Sequence, residues 1–574
     1  MKIISQNQSE YMIVYSKDAS ETERNIASVL QKYLYLGANV CIPIHSDKCN
    51  KRGKEISIGL SRDLKKTKVL NDKSNEAYVI KRVKDDILLL GNSSRGTMYA
   101  VYRFLEEYIG FRAFSSDTIK YDKKKSINVS KDIVYDFPFE YREIYFTDAF
   151  KQPFASANML NSNLADLSNA WGGKNKWYNF HHSFSDLVSP NDYFDTHPEY
   201  FSMIDGKRRK EHTELCLSNP DVLKIAVNKV LEWKKNNPEC NIFSVAQDEW
   251  MGHFIKMACE CDECKKIDDY EESQSGSIIN FVNKVTKEVN KIYPDVLIHT
   301  FAYQYSRKPP KHIIPDNNVI VRLCNIECSW SKPIEKDEKE GKKFYEDLVN
   351  WGRITNRLYI WDYAVNFKNY LLPFPNLRSM VANIKMYKEK GVKGLLMQGN
   401  FSHGGKGYCD ELKSYICARF MRYDNLDLDN EIKEFCKYYY GKNSDVAYSY
   451  IMLWEDRVYN YDLWLYDYSN HELFNDQNMN DAKTILDKAK KDKSEQGRHF
   501  ELLKMSYEYA YLTRLPLDDS RRNDLFIEFK KKVINNHITE LFERTDLYYS
   551  FDVIKNSRYA LDRPNWYSLY YIMK

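Results

Sequence analysis

Between residues 139 and 398 the chain repeats one pattern. A short apolar run stops on polar residues, and a stretch with helical spacing follows. That alternation predicts parallel strands joined by crossover helices. The runs fall at 139–145, at 158–160 or just after it, at a poorly defined place within 178–183, and at 242–247, 296–303, 319–323, 358–363 and 394–398. Helical patterns lie between them at 221–235, 278–292, 344–351 and 377–390. Eight such units predict an α/β chain with a central (β/α)8, TIM-like barrel over 136–410; a doubly wound open sheet is the rival.

The flanks differ from this core. Residues 1–135 read as a small α/β domain. Tyr11-Met12-Ile13-Val14-Tyr15 forms a strand pattern, and Ser20-Glu21-Thr22-Glu23 is a capping box that opens a helix with Ile26, Val29, Leu30 and Leu34 on one face. Further strand patterns cover 56–60, 77–80 and 87–91, and a helix is expected from Arg95 to Gly110. Arg95-Gly96 after a strand is far short of a phosphate-binding loop. Residues 411–574 carry amphipathic helix patterns at 431–436, 481–491 and 500–515, and read as a helical C-terminal region whose Tyr and Trp side chains belong to its core.

Lys and Arg number 85 against 81 Asp and Glu, an excess of +4 spread along the chain, so no nucleic-acid surface is expected. No apolar run reaches the length of a membrane span. The first residues lack an apolar leader core, which predicts a cytoplasmic protein or one whose leader has been removed. Twelve Cys in 574 residues do not form a disulfide scaffold.

In a barrel, polar residues at the C-terminal strand ends form the site. Here those are Arg142, His181, His182, Asp248, Glu249, Trp250, Tyr303, Glu327, Trp330, Trp361, Asp362, Tyr363, Gln398 and Asn400. Acids, amides and aromatics in this position suit a carbohydrate ligand. Two adjacent acids at the end of a buried strand are costly unless used or paired. The plainer reading of Asp248-Glu249 is a helix N-terminus, where acids favour the dipole. For Asp362 the alternative is an ion pair with Arg322 or Arg357; for the two His, packing or metal binding.

Cys259-x-Cys261-x-x-Cys264 offers three thiols to a structural zinc, which takes four ligands. Cys216, Cys240, Cys324 or His253 can complete the set. The alternatives are a disulfide with a spare thiol, or free buried cysteines.

Taken together, His197-Pro198-Glu199-Tyr200-Phe201, Gly206-Lys207-Arg208, Leu215-Cys216-Leu217-Ser218-Asn219-Pro220, Gln247-Asp248-Glu249-Trp250, the three cysteines, Ala302-Tyr303-Gln304-Tyr305 and Tyr359-Ile360-Trp361-Asp362-Tyr363 resemble the domain-of-unknown-function 4838 group, to which glycoside hydrolase family 163 belongs. The resemblance spans about 140–410. Arg95-Gly96-Thr97-Met98-Tyr99-Ala100 resembles the small domain that precedes the barrel in β-hexosaminidases and α-glucuronidases. Many members of the group carry Asn-Asp where this chain has Asp248-Glu249; the latter pair is similar to that at the fourth strand of β-hexosaminidases.

The resemblance implies an endo-β-N-acetylglucosaminidase acting on N-glycans, with no cofactor for catalysis and a glycan or glycoprotein as partner. In that chemistry Asp248 orients the substrate's acetamido group and Glu249 is the general acid, each raising the other's pKa. Tyr303 meets the acetamido oxygen, Trp361 and Trp330 wall the pocket, and Arg142 binds sugar hydroxyls. Two readings stand beside it. One is another glycosidase, α-glucuronidase-like, with Asp362 or Glu327 as nucleophile and Arg142, Arg322 or Lys207 for a uronate. The other is a barrel that binds carbohydrate without cleaving it.

Overall fold

The structure is a computed structural model that describes residues 1–51, 53–62, 68–249 and 256–561. The chain forms two compact units. Unit 1 comprises 1–174, 411–448 and 490–499; unit 2 comprises 175–410, 449–489 and 500–574. The C-terminal helical stretch is thus divided between the two. Among the described residues, no helix is long and apolar enough to cross a membrane.

Unit 1 holds a mixed six-stranded sheet in the order Ile133–Tyr135, Tyr78–Val83, Asp86–Gly91, Lys54–Ile58, Tyr11–Tyr15, Ile44–Ser46. Two helices pack with it. Glu21–Ala38 starts with the expected reciprocal box of Ser20 and Glu23 and stops at Asn39 in the left-handed region. Ser94–Ile109 is capped by Ser93 and ends at Gly110, φ +63°. The Arg95-Gly96 motif has a packing cause: a Cβ on Gly91 would lie 2.1 Å from the Gly96 carbonyl carbon, so strand end and helix start touch backbone to backbone.

In unit 2, six strands pair in parallel and in chain order: Trp177–Tyr178, Ile242–Ser244, Leu297–Ala302, Val319–Cys324, Leu358–Tyr363 and Gly394–Gln398. A doubly wound sheet would reverse its strand order part-way; this one does not, and the fold is α/β with a curled parallel sheet of the half-barrel kind. The core strands are buried on both faces, as all six positions of Val319–Cys324 illustrate. Helices Pro220–Asn236, Ser275–Asn290, Glu340–Ile354 and Leu377–Glu389 occupy the expected intervals.

The two weakest expected strands differ. The run at 158–160 is no strand: helix Gln152–Ala157 precedes it, and Met159 sits at φ +59°. The third strand is two residues long. The first expected strand forms as Tyr141–Tyr145, within unit 1.

Candidate active site

Strand Ile242–Ser244 delivers the two acids. Beyond it the chain stays buried to Gln247, held by a neighbouring loop. Ser183 Oγ accepts from Ala246 N–H at 3.0 Å and donates to the Ser244 carbonyl at 2.9 Å. Gln247 is fixed at both ends of its amide, donating to the Tyr303 carbonyl (3.0 Å) and accepting from Ser306 Oγ (2.7 Å). With Gln247 locked, Asp248 and Glu249 emerge at the mouth of the sheet, and both line one cavity of about 400 Å³, within the ~300–1,000 Å³ of small-ligand sites.

The two acids are held differently. Asp248 accepts the Ser185 N–H at 2.9 Å, and its own N–H donates to Glu214 at 3.1 Å. Burial pushes its carboxyl up to about 6 against the pull of the Ser185 bonds and His182. Burial, with Asp248 close by, also raises the Glu214 carboxyl well above the usual range. Glu249 keeps 31% of its side chain exposed. Its Oε1 accepts the Tyr303 hydroxyl at 2.8 Å, and its Oε2 lies 3.6 Å from His182 Nε2. His182 Nδ1 is 2.6 Å from the Gln247 carbonyl, which can only accept, so Nδ1 carries the hydrogen. The nitrogen that faces Glu249 is therefore a free lone pair on the neutral ring.

Phe301, Cys324, Ile326, Trp361, Tyr363 and Phe367 supply the walls. Trp361 donates its Nε1–H to Gln398 (2.8 Å), which fixes the indole. Behind that wall, the buried Arg322 guanidinium stacks 4.1 Å from Trp177, 4.8 Å from Phe180 and 5.3 Å from Trp361. His181 also lines the cavity, its pKa lowered to about 4 by loss of water and then by His182 and Arg322.

Of the residues expected from sequence, Asp248, Glu249, Tyr303, His181, His182, Trp361, Tyr363 and Gln398 meet in this cavity. Trp250 lies outside the described residues. Others are placed elsewhere. Arg142, expected on sugar hydroxyls, is fully buried in unit 1; its donors are taken by Glu76 (2.5 Å) and the Met159 and Phe139 carbonyls. Burial raises the Glu76 carboxyl, but Arg142 and Arg95 together outweigh it and hold it below its ordinary value. Asp362 is enclosed, accepting from Asn325 (2.8 Å), Tyr387 (2.9 Å) and the Tyr363 N–H (2.7 Å). Glu327 is buried against Arg307 at 3.0 Å. Trp330 is buried edge-on to Tyr363, and Asn400 is buried with its Oδ1 accepting from Ser402. None of these five lines the cavity. Lys207 sits exposed in the hairpin Met203–Arg208.

Three lining residues come from the C-terminal region: Tyr466, Glu543 and Arg544. The loop after strand Leu358–Tyr363 brings them in through backbone bonds. Phe367 donates to Leu465 and accepts from Glu543 N–H, and Tyr370 donates to Leu541. Burial, with Glu249 and Glu540 nearby, pushes the Glu543 carboxyl up to about 7 against the pull of Arg544 and Lys368. Nothing in the local sequence marks these residues, because the contacts that place them are main-chain ones.

Four thiols offer a candidate place for a metal. Cys216, Cys259, Cys261 and Cys264 bring their sulfurs within 4.8 Å of one another.

The family model for DUF4838, a domain of unknown function, matches residues 113–452, more than half of the chain. The chain belongs to the DUF4838 family. No curated protein matches its sequence. Among solved structures, it is similar to a family GH115 4-O-methyl-α-glucuronidase with specificity for decorated arabinogalactans, at TM-score 0.58 and 11% identity, covering 97% of this chain and 81% of that one. It is also similar to a family GH89 protein from Clostridium perfringens in complex with its substrate GlcNAc-α-1,4-galactose, at TM-score 0.52 and 11% identity, covering 94% and 69%. A second family 89 structure, with a 2-acetamido-1,2-dideoxynojirimycin ligand, gives TM-score 0.51 and 10% identity, covering 94% and 70%. At such identities the likeness is one of fold: this DUF4838 chain is built like glycoside hydrolases of families GH115 and GH89.

Proposed function

We propose that this protein is a glycoside hydrolase that cleaves β-linked N-acetylglucosamine in glycans, as an endo-β-N-acetylglucosaminidase on N-glycans. The observation that carries the reading is the pairing of Asp248 and Glu249 in one aromatic-walled cavity, one acid held by a backbone amide and the other by Tyr303. The likeness of the fold to glycoside hydrolases supports the class of reaction.

In this mechanism Glu249 donates its proton to the leaving glycosidic oxygen as the C–O bond breaks. The substrate's own acetamido oxygen attacks the anomeric carbon from the opposite face. Asp248, ionised, accepts the acetamido N–H and balances the positive charge of the cyclic oxazolinium ion. Water then adds at the anomeric carbon, giving its proton back to Glu249 as the ring opens, so configuration is retained. The Tyr303 hydroxyl holds the Glu249 carboxyl, with His182 beside it. Trp361 offers its face to the sugar ring.

The uronate reading fares less well. Arg142, Arg322 and Lys207 do not line the cavity, and among the described lining residues Arg544 is the one Arg or Lys. A second mechanism has one favouring observation: Glu543 shares the cavity and lies within electrostatic reach of Glu249. Asp362 and Glu327 are engaged elsewhere, so Glu543 is the carboxylate to weigh as base or nucleophile. The test is glycan release from an N-glycoprotein by wild type and by Glu249→Gln. Release by wild type that the substitution abolishes supports the reading. No release by wild type from glycans of any branching, with sugar binding intact, would leave a carbohydrate-binding barrel.

A further inference from the structure

Four thiols from two separate segments of unit 2 converge beside the acid-bearing loop. Cys216 follows Glu214 in a segment held by the Phe201–Leu215 bridge and by Cys216 N–H bonding to Tyr200 O at 2.8 Å. Cys259, Cys261 and Cys264 come just before and within the start of helix Asp262–Glu271, with Cys261 at its N-cap. Cys216, Cys259 and Cys264 are buried, and none of the four thiols is in a disulfide. The Cys216 sulfur lies 3.6 Å from that of Cys261 and 3.9 Å from that of Cys264. A tetrahedron with Zn–S bonds of ~2.3 Å has S···S edges of about 3.8 Å. The observed spacings bracket that edge.

We propose that Cys216, Cys259, Cys261 and Cys264 bind one zinc ion in a closed, four-thiolate structural site. The surroundings suit a cluster with net negative charge. The Met203 N–H points at the Cys259 sulfur at 3.4 Å, and the Arg208 guanidinium reaches it at 3.5 Å. Ser218 Oγ lies 3.1 Å from Cys264, 3.5 Å from Cys216 and 3.7 Å from Cys261. Donors placed around metal-bound thiolates fix their orientation and spread their charge. The N-terminus of the ten-residue helix adds favourable dipole field at Cys261. Of the four residues able to complete the sequence triad, Cys216 is the one gathered with it among the described residues; Cys240 and Cys324 are not in the cluster.

The site ties together two arms of the candidate active centre. One arm carries Glu214, whose carboxyl receives the Asp248 N–H. The other continues the chain downstream of Glu249. With four sulfurs filling the coordination sphere no position is open for a substrate, so the ion acts on shape. The site stands whether or not the hydrolase reading does.

The test is metal content of the full chain, purified in chelator-treated buffer, with native thiol counting in parallel. One zinc per chain is expected, with the four thiols unreactive until a mercurial releases the ion. Cobalt exchanged into the site should show the visible bands of tetrahedral thiolate coordination. Cys216→Ser should lose the zinc and lower the melting temperature, while Cys240→Ser keeps both. If Cys216→Ser fails to fold, the wild-type count still decides. No zinc with all four thiols reactive overturns the proposal, as does iron in place of zinc, or equal zinc loss in Cys240→Ser.

Discussion

Two strand ends of the same sheet carry acids, and they behave as opposites. At the end of Leu358–Tyr363, Asp362 is buried and meets donors from Asn325, Tyr387, Trp330 and the Tyr363 N–H. At the end of Ile242–Ser244, Asp248 is held by Ser185 and Glu249 by the Tyr303 hydroxyl, and both face an open cavity. A carboxylate whose acceptor sites are filled by neutral donors is a structural brace. One left with unused oxygens toward solvent can take a proton, or a substrate's N–H. Position at a strand end does not separate the two; the count of partners does.

That contrast yields graded expectations. The largest effect belongs to Glu249→Gln, which keeps shape and removes the proton. Turnover of a substrate with a poor leaving group should fall by about 10²–10⁴-fold, and an activated aryl glycoside, which needs little protonation, should lose much less. Steady-state kinetics on the two substrates checks this; equal losses on both would break the assignment.

Asp248→Asn comes next, and should slow both substrates, because the acetamido group loses its charged partner. Its pH dependence is specific. The carboxyl is raised to about 6, and the ionised form is the working one, so wild-type kcat/KM should rise with pH through about 6. That acid limb should vanish in Asp248→Asn. A limb that persists there would belong to another group.

Glu543→Gln sharpens the comparison from a third place. Under substrate assistance it should raise KM and spare most of kcat on N-acetylated substrates. A loss as deep as that of Glu249→Gln would make Glu543 the base or nucleophile. Smallest in activity is Asp362→Asn. It should cost about 1–3 kcal/mol of stability by unbalancing a buried, filled hydrogen-bond set, while kcat per folded molecule stays near wild type. Denaturant melts with active-site titration would show it.

The sequence was most legible where burial is complete. Val319–Cys324 and Leu358–Tyr363 are apolar-rich runs, interrupted by Arg322 and Asp362, because both faces of the sheet are largely covered. The run at 158–160 misled because three apolar-rich residues after a helix look the same as a strand. Arg142 misled for a related reason: a strand-end arginine has the same local pattern whether its fork meets a sugar or, as here, Glu76 and two carbonyls. Glu543 and Tyr466 were illegible because backbone bonds to the Phe367 loop place them, and backbone bonds carry no residue signature. Cys216 was one of four options, since spacing alone does not tell which distant thiol folds back to the triad.

The central claim, that Asp248 and Glu249 work with the substrate's own acetamido group, is tested most directly by one pair of rates. Wild-type kcat/KM is measured on two aryl β-glucosides that differ only in carrying a 2-acetamido or a 2-hydroxyl group. The account predicts cleavage of the acetamido sugar and a loss of orders of magnitude without it; equal rates on the two would contradict it.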